Sequence, residues 1–336
     1  MDAGEELVDH LFKEMQIDED WAVRRPRGFT WWAGPLAQHV WSEPPVEDFG
    51  HEISRVHVQT DLLTGFTPDE RSLRALSLTS AYSTMSGYLL GEGVIRSATS
   101  VFVHRGTLVM WKHLLTIAAL VQVTAAHIDI VSLLSLTGAR PAMSGHPQSG
   151  ERETHDDMLN VIKRVFAPMG AGPSWFIGEE FRAAEKVLGP QVSVLTTASS
   201  DGLTSEFPYG NGTALLQMRT DIRNPRLGSG LMLILSLPTS YPPNGLPQVV
   251  LDMNRWELTE FSRLPFLGSW SPHASLPGTL AFVMFLPNAC AMPGLPSTLL
   301  SYFASRAKWA LEVIEGGSYE ESRKKARPAL LRFFGR

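Results

Sequence analysis

Cysteine is nearly absent from this chain of 336 residues, in which Cys290 is the single one. One cysteine cannot form an internal disulfide framework or supply an all-cysteine metal cluster. This scarcity agrees with a reducing cytoplasmic compartment. A basic surplus is also missing, because 29 Lys and Arg stand against 34 Asp and Glu for a net charge of −5. That balance gives no indication of nucleic acid as a partner.

Catalytic and cofactor-binding signatures are missing as well. The chain contains no G-x-x-x-x-G-K-[ST] or G-x-G-x-x-G loop, no G-x-S-x-G elbow and no His-Glu-x-x-His. The densest set of metal-ligand types, His155-Asp156-Asp157, is better explained by an Asp that caps the following helix. A nucleophilic Cys290 with His273 as its base is the alternative to a structural thiol, but no activating context surrounds it. The sequence therefore predicts no catalytic, cofactor-binding or metal-binding residues, and no cofactor.

A targeting segment and a membrane span are not indicated. Residues 1–20 hold eight acids and one lysine, the opposite of the basic start of a signal peptide. Residues 114–136 are long and apolar enough to span a bilayer, but Gln122, His127 and Asp129 lie near their middle. A central Asp costs about 2.5–3.5 kcal/mol on insertion scales. The sequence therefore predicts a buried core helix without a transmembrane segment, and a cytoplasmic protein.

Hydrophobic residues make up 44% of the chain, which is enough for a full core, and the length favours two domains. Residues 1–137 follow the order helix, strands, helix, two strands, long helix, and residues 158–317 repeat it. The Gly-, Pro- and Ser-rich stretch 138–157 predicts a linker. The middle helix of the first half is predicted to begin with a capping box at Thr67-Pro68-Asp69-Glu70. Short turns favour antiparallel pairing, so the predicted fold class is α+β with two similar units, each an antiparallel sheet packed against helices.

Two apolar strands and the closing helix of the second half carry a family resemblance. They are LMLILSLP (231–238), TLAFVMFLP (279–287) and LLSYFASRAKWALEVI (299–314), the last with Tyr302, Phe303, Arg306 and Ala310-Leu311-Glu312. This part of the chain resembles the type III secretion chaperone-like superfamily that includes the YbjN proteins. The resemblance covers roughly residues 181–316 and extends to 5–137 by topology alone. It implies a chaperone-like protein that holds a protein partner without catalysis. Those chaperones are generally single small domains that dimerise, so two units in tandem would form a pseudo-dimer within one chain.

Tryptophans on a predicted strand are the first candidate partner-binding residues. Successive side chains on a strand point to opposite faces, so either Trp31 or Trp32 should face away from its domain's core. A neighbouring helix or the other unit would cover it, or it would anchor a partner together with Trp41, since Trp is enriched at interface hot spots.

A basic, hydrophobic C-terminal tail at residues 318–336 is the second candidate. It holds six basic and two acidic residues, a net +4 that leaves −9 for the rest of the chain. The tail is either solvated, docked on the acidic body, or a peptide for a partner protein, an anionic membrane or nucleic acid. Its candidate residues are Arg323, Lys324, Lys325, Leu330, Leu331, Phe333 and Phe334.

Taken with the resemblance, these features predict a non-catalytic protein-binding module, chaperone- or adaptor-like, in the cytoplasm. A protein partner is expected, nucleic acid is not, and the oligomeric state stays open. The alternative is a small-molecule-binding enzyme with its site between the two units, where ligand pockets often lie.

Overall fold

The chain divides into two compact units. The computed structural model describes residues 1–48, 50–82, 84–159, 175–188, 196–198, 202–210, 212–224, 227–259 and 264–314. Unit 1 comprises Met1–Leu76, Thr84–Ala167 and Pro265–Leu267, and unit 2 comprises Ser77–Ser83, Pro168–Leu264 and Gly268–Arg336. Each unit therefore includes a short segment from the other half of the sequence.

Unit 1 is built on an eight-stranded antiparallel sheet. Its elements are α1 (Ala3–Glu14), β1 (Ala22–Arg25), β2 (Gly28–Trp32), β3 (Ala37–Ser42), β4 (Val46–Asp48), β5 (His51–Thr64), β6 (Gly87–Gly91), β7 (Val94–Val103), α3 (Leu108–Thr137) and β8 (Arg140–Pro141). Helix α2 (Glu70–Thr79) continues past the boundary of the unit at Leu76. The strands follow the order β1-β2-β3-β5-β7-β6, and β4 and β8 both pair with β5.

Helices α1 and α3 pack against the sheet of unit 1 and against each other. Helix α1 begins with a capping box in which Asp2 accepts from the Glu5 backbone and Glu5 accepts from the Asp2 backbone. Its apolar stripe, which includes Leu7 and Leu11, is buried. At the β7 edge, Ser100 and Phe266 exchange two backbone hydrogen bonds of 2.7 and 3.1 Å, so Pro265–Leu267 extends this edge beyond β6.

Unit 2 is built on a seven-stranded antiparallel sheet. Its elements are α4 (Ile177–Leu188), β9 (Thr196–Ala198), β10 (Gly202–Tyr209), β11 (Gly212–Arg219), β12 (Arg223–Asn224), β13 (Gly228–Pro238), α5 (Leu246–Leu258), β14 (Ser269–Pro272), β15 (Thr279–Pro287) and α6 (Leu295–Ile314). The strands follow the order β14-β15-β13-β11-β10-β9, and β12 pairs with β13. Read from β9, this order matches that of unit 1 strand for strand. The α+β class with two antiparallel sheets is confirmed, while a tandem repeat stays a prediction.

A buried ion pair joins two helices of unit 2. Glu257 on α5 and Arg306 on α6 are both fully buried, and Arg306 Nε donates to Glu257 Oε1 at 2.7 Å. The Trp270 indole N–H donates to Glu257 Oε2, also at 2.7 Å. The Arg306 guanidinium lies 3.9 Å from the centroid of the Phe282 ring, a cation–π distance. Arg306, one of the residues behind the family resemblance, is therefore part of the core.

Some expected boundaries are corrected by the structure. Helix α2 begins at Glu70. Its N-cap is Asp69, whose carboxylate accepts a hydrogen bond from the Ser72 backbone N–H at 2.7 Å. The predicted capping box with Thr67 as the N-cap is therefore wrong. Strands β1 and β10 were not predicted, because β1 ends in two arginines and Ser205 and Pro208 interrupt the apolar positions of β10.

The stretch 138–157, predicted as a linker, is part of unit 1 in the structure. Strand β8 pairs with the end of β5, and the Arg152 guanidinium donates to the Trp32 carbonyl at 2.7 Å and to Asp156 at 3.1 Å. Composition predicted a linker because Gly, Pro and Ser interrupt periodicity, but backbone pairing and one buried arginine hold this segment in place.

Helix α3 is the long apolar segment considered above as a membrane span. By length and composition it is the one helix of the described residues that would reach across a bilayer, yet 72% of its most apolar window is buried inside the protein. Gln122 and Asp129 are only 1% and 3% exposed. Gln122 accepts from Thr60 at 2.8 Å and lies in a buried polar network with Gln38. The helix therefore packs as a core helix and gives no clear transmembrane segment.

Candidate functional site

Neither Trp31 nor Trp32 is available at the surface, which corrects their assignment as partner anchors. Their exposed fractions are 0% and 6%. The segment after α3 covers Trp32, because its indole N–H donates to Ser144 Oγ at 3.1 Å and its ring meets that of His146 edge to face. The covering element thus comes from the stretch that composition assigned to a linker.

Trp41 is half-buried on the sheet of unit 1 and contacts a histidine. Its ring stacks on that of His57, with centroids 4.7 Å apart. The His57 Nε2 atom lies 2.8 Å from the Glu43 carboxylate. Burial lowers the pKa of His57, and the nearby Arg55 charge acts in the same direction, whereas the Glu43 hydrogen bond opposes them. A fully buried imidazole is thereby kept neutral beside a half-exposed carboxylate.

A second histidine–carboxylate pair lies farther along the same face of the sheet. His39 Nδ1 is 3.0 Å from the Thr30 hydroxyl, and His39 Nε2 is 3.3 Å from Asp61. Arg96 Nε donates to Asp61 at 2.7 Å. Burial opposes ionisation of Asp61, but the hydrogen bonds and charges of His39 and Arg96 outweigh it and hold the pKa of Asp61 below its usual value. The four groups form a polar row across β2, β3, β5 and β7.

This row resembles a catalytic triad in residue types, but its geometry is different in one decisive way. The Thr30 hydroxyl would have to be the nucleophile, and Thr30 is 2% exposed. A nucleophile must reach a substrate carbonyl or phosphoryl group, so a buried hydroxyl is poorly placed for that chemistry. The row therefore links the four strands through side-chain hydrogen bonds.

The outer side of helix α3 carries exposed hydrophobic residues. We define the α3 outer stripe as Leu120, Thr124, Ile128, Val131 and Ser135, which follow one another at intervals of three or four residues. Ile128 and Val131 are 48% and 71% exposed. Between His113 and Arg140 the one formally charged residue is Asp129, and it is buried. A solvent-facing helix surface of this length normally carries charge, so the stripe is a candidate partner surface.

The polar side chains of the α3 outer stripe are satisfied within the helix. The Thr124 hydroxyl donates to the Leu120 carbonyl at 2.8 Å, and the Ser135 hydroxyl donates to the Ser132 carbonyl at 3.2 Å. Such back-bonding turns the donor inwards and leaves the rest of the side chain facing out. The stripe can therefore be covered without leaving a hydrogen-bond donor unmet.

Cys290 is a buried thiol, and Asp156 caps the backbone that follows it. Cys290 is buried, and burial raises the pKa of its thiol, which opposes formation of the nucleophilic thiolate. Asp156 accepts from the Met158 backbone at 2.9 Å, as predicted for a helix cap. Within the part of the chain that the structure describes, no group of three or more His, Cys, Asp or Glu could hold a metal ion.

The seven tail candidates, Arg323, Lys324, Lys325, Leu330, Leu331, Phe333 and Phe334, lie outside the described residues. Sequence reasoning also missed the α3 outer stripe, although its signal was present. The long run without charge was interpreted only as a choice between a core helix and a membrane span. The core-helix prediction is confirmed, but it did not consider that one side of the same helix would be exposed.

No protein-family model, curated protein or solved structure matches this chain.

Proposed function

We propose that this chain is a non-catalytic protein-binding module, chaperone- or adaptor-like, that acts in the cytoplasm and holds a protein partner. The observation that carries the proposal is the α3 outer stripe. Exposed apolar surface of this kind lowers solubility unless a partner covers it, because the transfer of apolar surface out of water is favourable. The family resemblance in the second half supports the same class of activity.

The alternative, a small-molecule-binding enzyme, has one observation in its favour. Thr30, His39 and Asp61 bring a hydroxyl, an imidazole and a carboxylate into hydrogen-bond contact. The burial of Thr30 weighs against catalysis there, and the buried Cys290 weighs against a thiol enzyme. We therefore place protein binding first.

Affinity capture with the purified full chain in an extract of its native cells tests this proposal. We expect one protein to be retained in stoichiometric amount and to bind again, at a one-to-one ratio, after purification. Retention of a metabolite with no stoichiometric protein would favour the enzyme instead. A Thr30→Val variant that abolished turnover of such a metabolite would contradict the non-catalytic assignment.

A further inference from the structure

We infer that strand β1 is the contact for a second copy of this chain, in which two β1 strands pair antiparallel about a two-fold axis at Val23. The two sheets of unit 1 then join edge to edge into one continuous sheet. This contact goes beyond the protein-binding function proposed above and does not depend on it. Two features of residues 18–25 lead to it: the backbone groups that β1 leaves open, and the order of charges along the chain.

Strand β1 is the last strand at one edge of the sheet of unit 1, with β2 as its neighbour. Its register places Arg25 opposite Gly28 across a two-residue turn, so these two residues exchange backbone hydrogen bonds and Arg24, one step along, does not. The Arg24 N–H and C=O therefore point away from the sheet, and no backbone group of the described residues pairs with them. The Ala22 C=O points the same way, while the Ala22 N–H donates to the Glu19 carbonyl. The edge thus offers one donor and two acceptors to another strand.

The charge along residues 18–25 changes sign from one end to the other. Before β1 come three acidic residues and at its end come two basic ones, all with exposed side chains: Asp18, Glu19, Asp20, Arg24 and Arg25. Charges on an edge strand normally keep other strands away. An antiparallel second copy reverses the order, so the acidic run of each chain lies beside the arginines of the other. The charges are therefore self-complementary, as a two-fold contact requires.

Glu19 and Arg25 are the two charges available for this contact. Asp18 and Arg24 already have ion-pair partners within their own chain, at 3.5 and 3.0 Å. No described residue forms an ion pair with Glu19 or Arg25. An exposed ion pair contributes little by itself, so these charges select the second copy while the backbone hydrogen bonds hold it.

The register about Val23 uses the open groups best. The Arg24 N–H of each chain then donates to the Ala22 C=O of the other. An axis at Arg24 would set the two Arg24 side chains directly opposite each other, and like charges in that position are destabilising. An axis at Ala22 would set Arg24 opposite Asp20, which belongs to a 3₁₀ turn and is not extended.

Sedimentation velocity of the full chain tests whether the dimer forms. Between about 1 and 300 µM, which brackets a Kd of micromolar order, we expect the monomer to give way to a dimer as the concentration rises. Added salt should weaken the dimer, because it screens exposed charges. A chain that stays monomeric over the whole range would overturn the inference.

Two substitutions of Arg24 separate its backbone from its side chain. Arg24→Pro and Arg24→Ala both remove the ion pair with Asp9 and the cation–π contact with Phe12. The proline also removes the outward N–H, and no hydrogen bond within the sheet is lost because that N–H is not used there. We expect Arg24→Pro to weaken the dimer about tenfold or more, and Arg24→Ala to change its Kd less than about threefold. A dimer equally stable in both variants would show that β1 is not the contact.

Charge reversal tests the antiparallel arrangement. Arg25→Glu and Glu19→Arg each set like charges side by side and should weaken the dimer about tenfold. The double variant Arg25→Glu/Glu19→Arg restores opposite charges and should recover most of the affinity. Glu52→Arg, an exposed change on β5 in the same unit, is the control and should leave the Kd unchanged. No recovery in the double variant would contradict the antiparallel contact, and circular dichroism with a melting curve checks the fold of each variant.

A different occupant gives a different pattern. If sedimentation shows monomer alone, while affinity capture retains a protein that Arg24→Pro releases and Arg24→Ala does not, the edge belongs to a partner strand and the second copy is overturned. If the dimer responds to the variants as expected and no partner is captured, the dimer stands and the proposed function fails.

Discussion

Breaking the Glu257–Arg306 ion pair should destabilise unit 2 far more than replacing both partners. Arg306→Met keeps the side-chain length that packs over Phe282 but leaves the Glu257 carboxylate buried without its guanidinium. Removal of one partner from a buried pair costs about 3–5 kcal/mol, because the remaining charge stays out of water. The 2.7 Å hydrogen bond from Trp270 to Glu257 persists, so we expect the lower end, about 3 kcal/mol.

A double variant that replaces both Arg306 and Glu257 separates the effect of the unpaired charge from the loss of the ion pair itself. Glu257→Gln alone should also cost about 3 kcal/mol, because it leaves the buried Arg306 cation facing a neutral amide. In Arg306→Met/Glu257→Gln no buried charge remains, and the Gln oxygen still accepts from Trp270. We expect the pair of changes together to cost about 1 kcal/mol, well below the sum of the single variants.

Urea unfolding followed by circular dichroism would measure these free energies, with the slope m compared among all four proteins. Hydrogen exchange across α5 and α6 would confirm that the change lies in unit 2. Additive single and double variants, or a cost below 1 kcal/mol for Arg306→Met, would refute the view that the unpaired charge dominates.

Two further predictions concern unit 1. In the folded protein the pKa of His57 lies below its ordinary value, so as the pH falls the unfolded chain takes up the proton at a higher pH than the folded chain does. The free energy of unfolding should therefore decrease as the pH is lowered from 7.5 through about 6.5 to 5.5. Melting curves should show a flatter pH dependence for His57→Asn than for the exposed control His51→Asn in the same unit, and parallel curves would contradict this. Arg152→Ala should release residues 138–157 to cleavage by thermolysin, with the loss of about 1–3 kcal/mol from unmet buried hydrogen bonds. If the wild-type chain is cut there equally fast, Arg152 does not hold the segment.

Local sequence patterns were sufficient to predict those helices and strands whose own residues show a clear hydrophobic pattern. The apolar stripe of α1 and the uncharged run of α3 each predict their element, and β13 reads as an apolar strand. Two antiparallel sheets followed from the short turns between strands.

Side-chain contacts between residues distant in sequence could not be predicted. Arg306 could be singled out, but Glu257, 49 residues away, could not be recognised as its partner. Arg152 and Trp32 are 120 residues apart, so the hydrogen bond between them leaves no pattern in the local sequence that could predict it. For the same reason the sequence could not show which segment covers whichever of Trp31 and Trp32 faces away from the core. The α3 outer stripe differs from these contacts, because all its residues belong to one helix and its lack of charge can be seen in the sequence alone.

The position of Phe266 has a consequence for synthesis of the chain on the ribosome. The N-terminal half leaves the ribosome first, and domains usually fold in that order. The edge of β7 at Ser100 nevertheless receives its neighbour only when Pro265–Leu267 has been translated. Until then the backbone groups of Ser100 face outwards on an open sheet edge, which invites pairing with other nascent chains. Ribosome pausing before residue 265 should therefore lower the yield of folded protein, and a chaperone bound to the nascent chain should restore it.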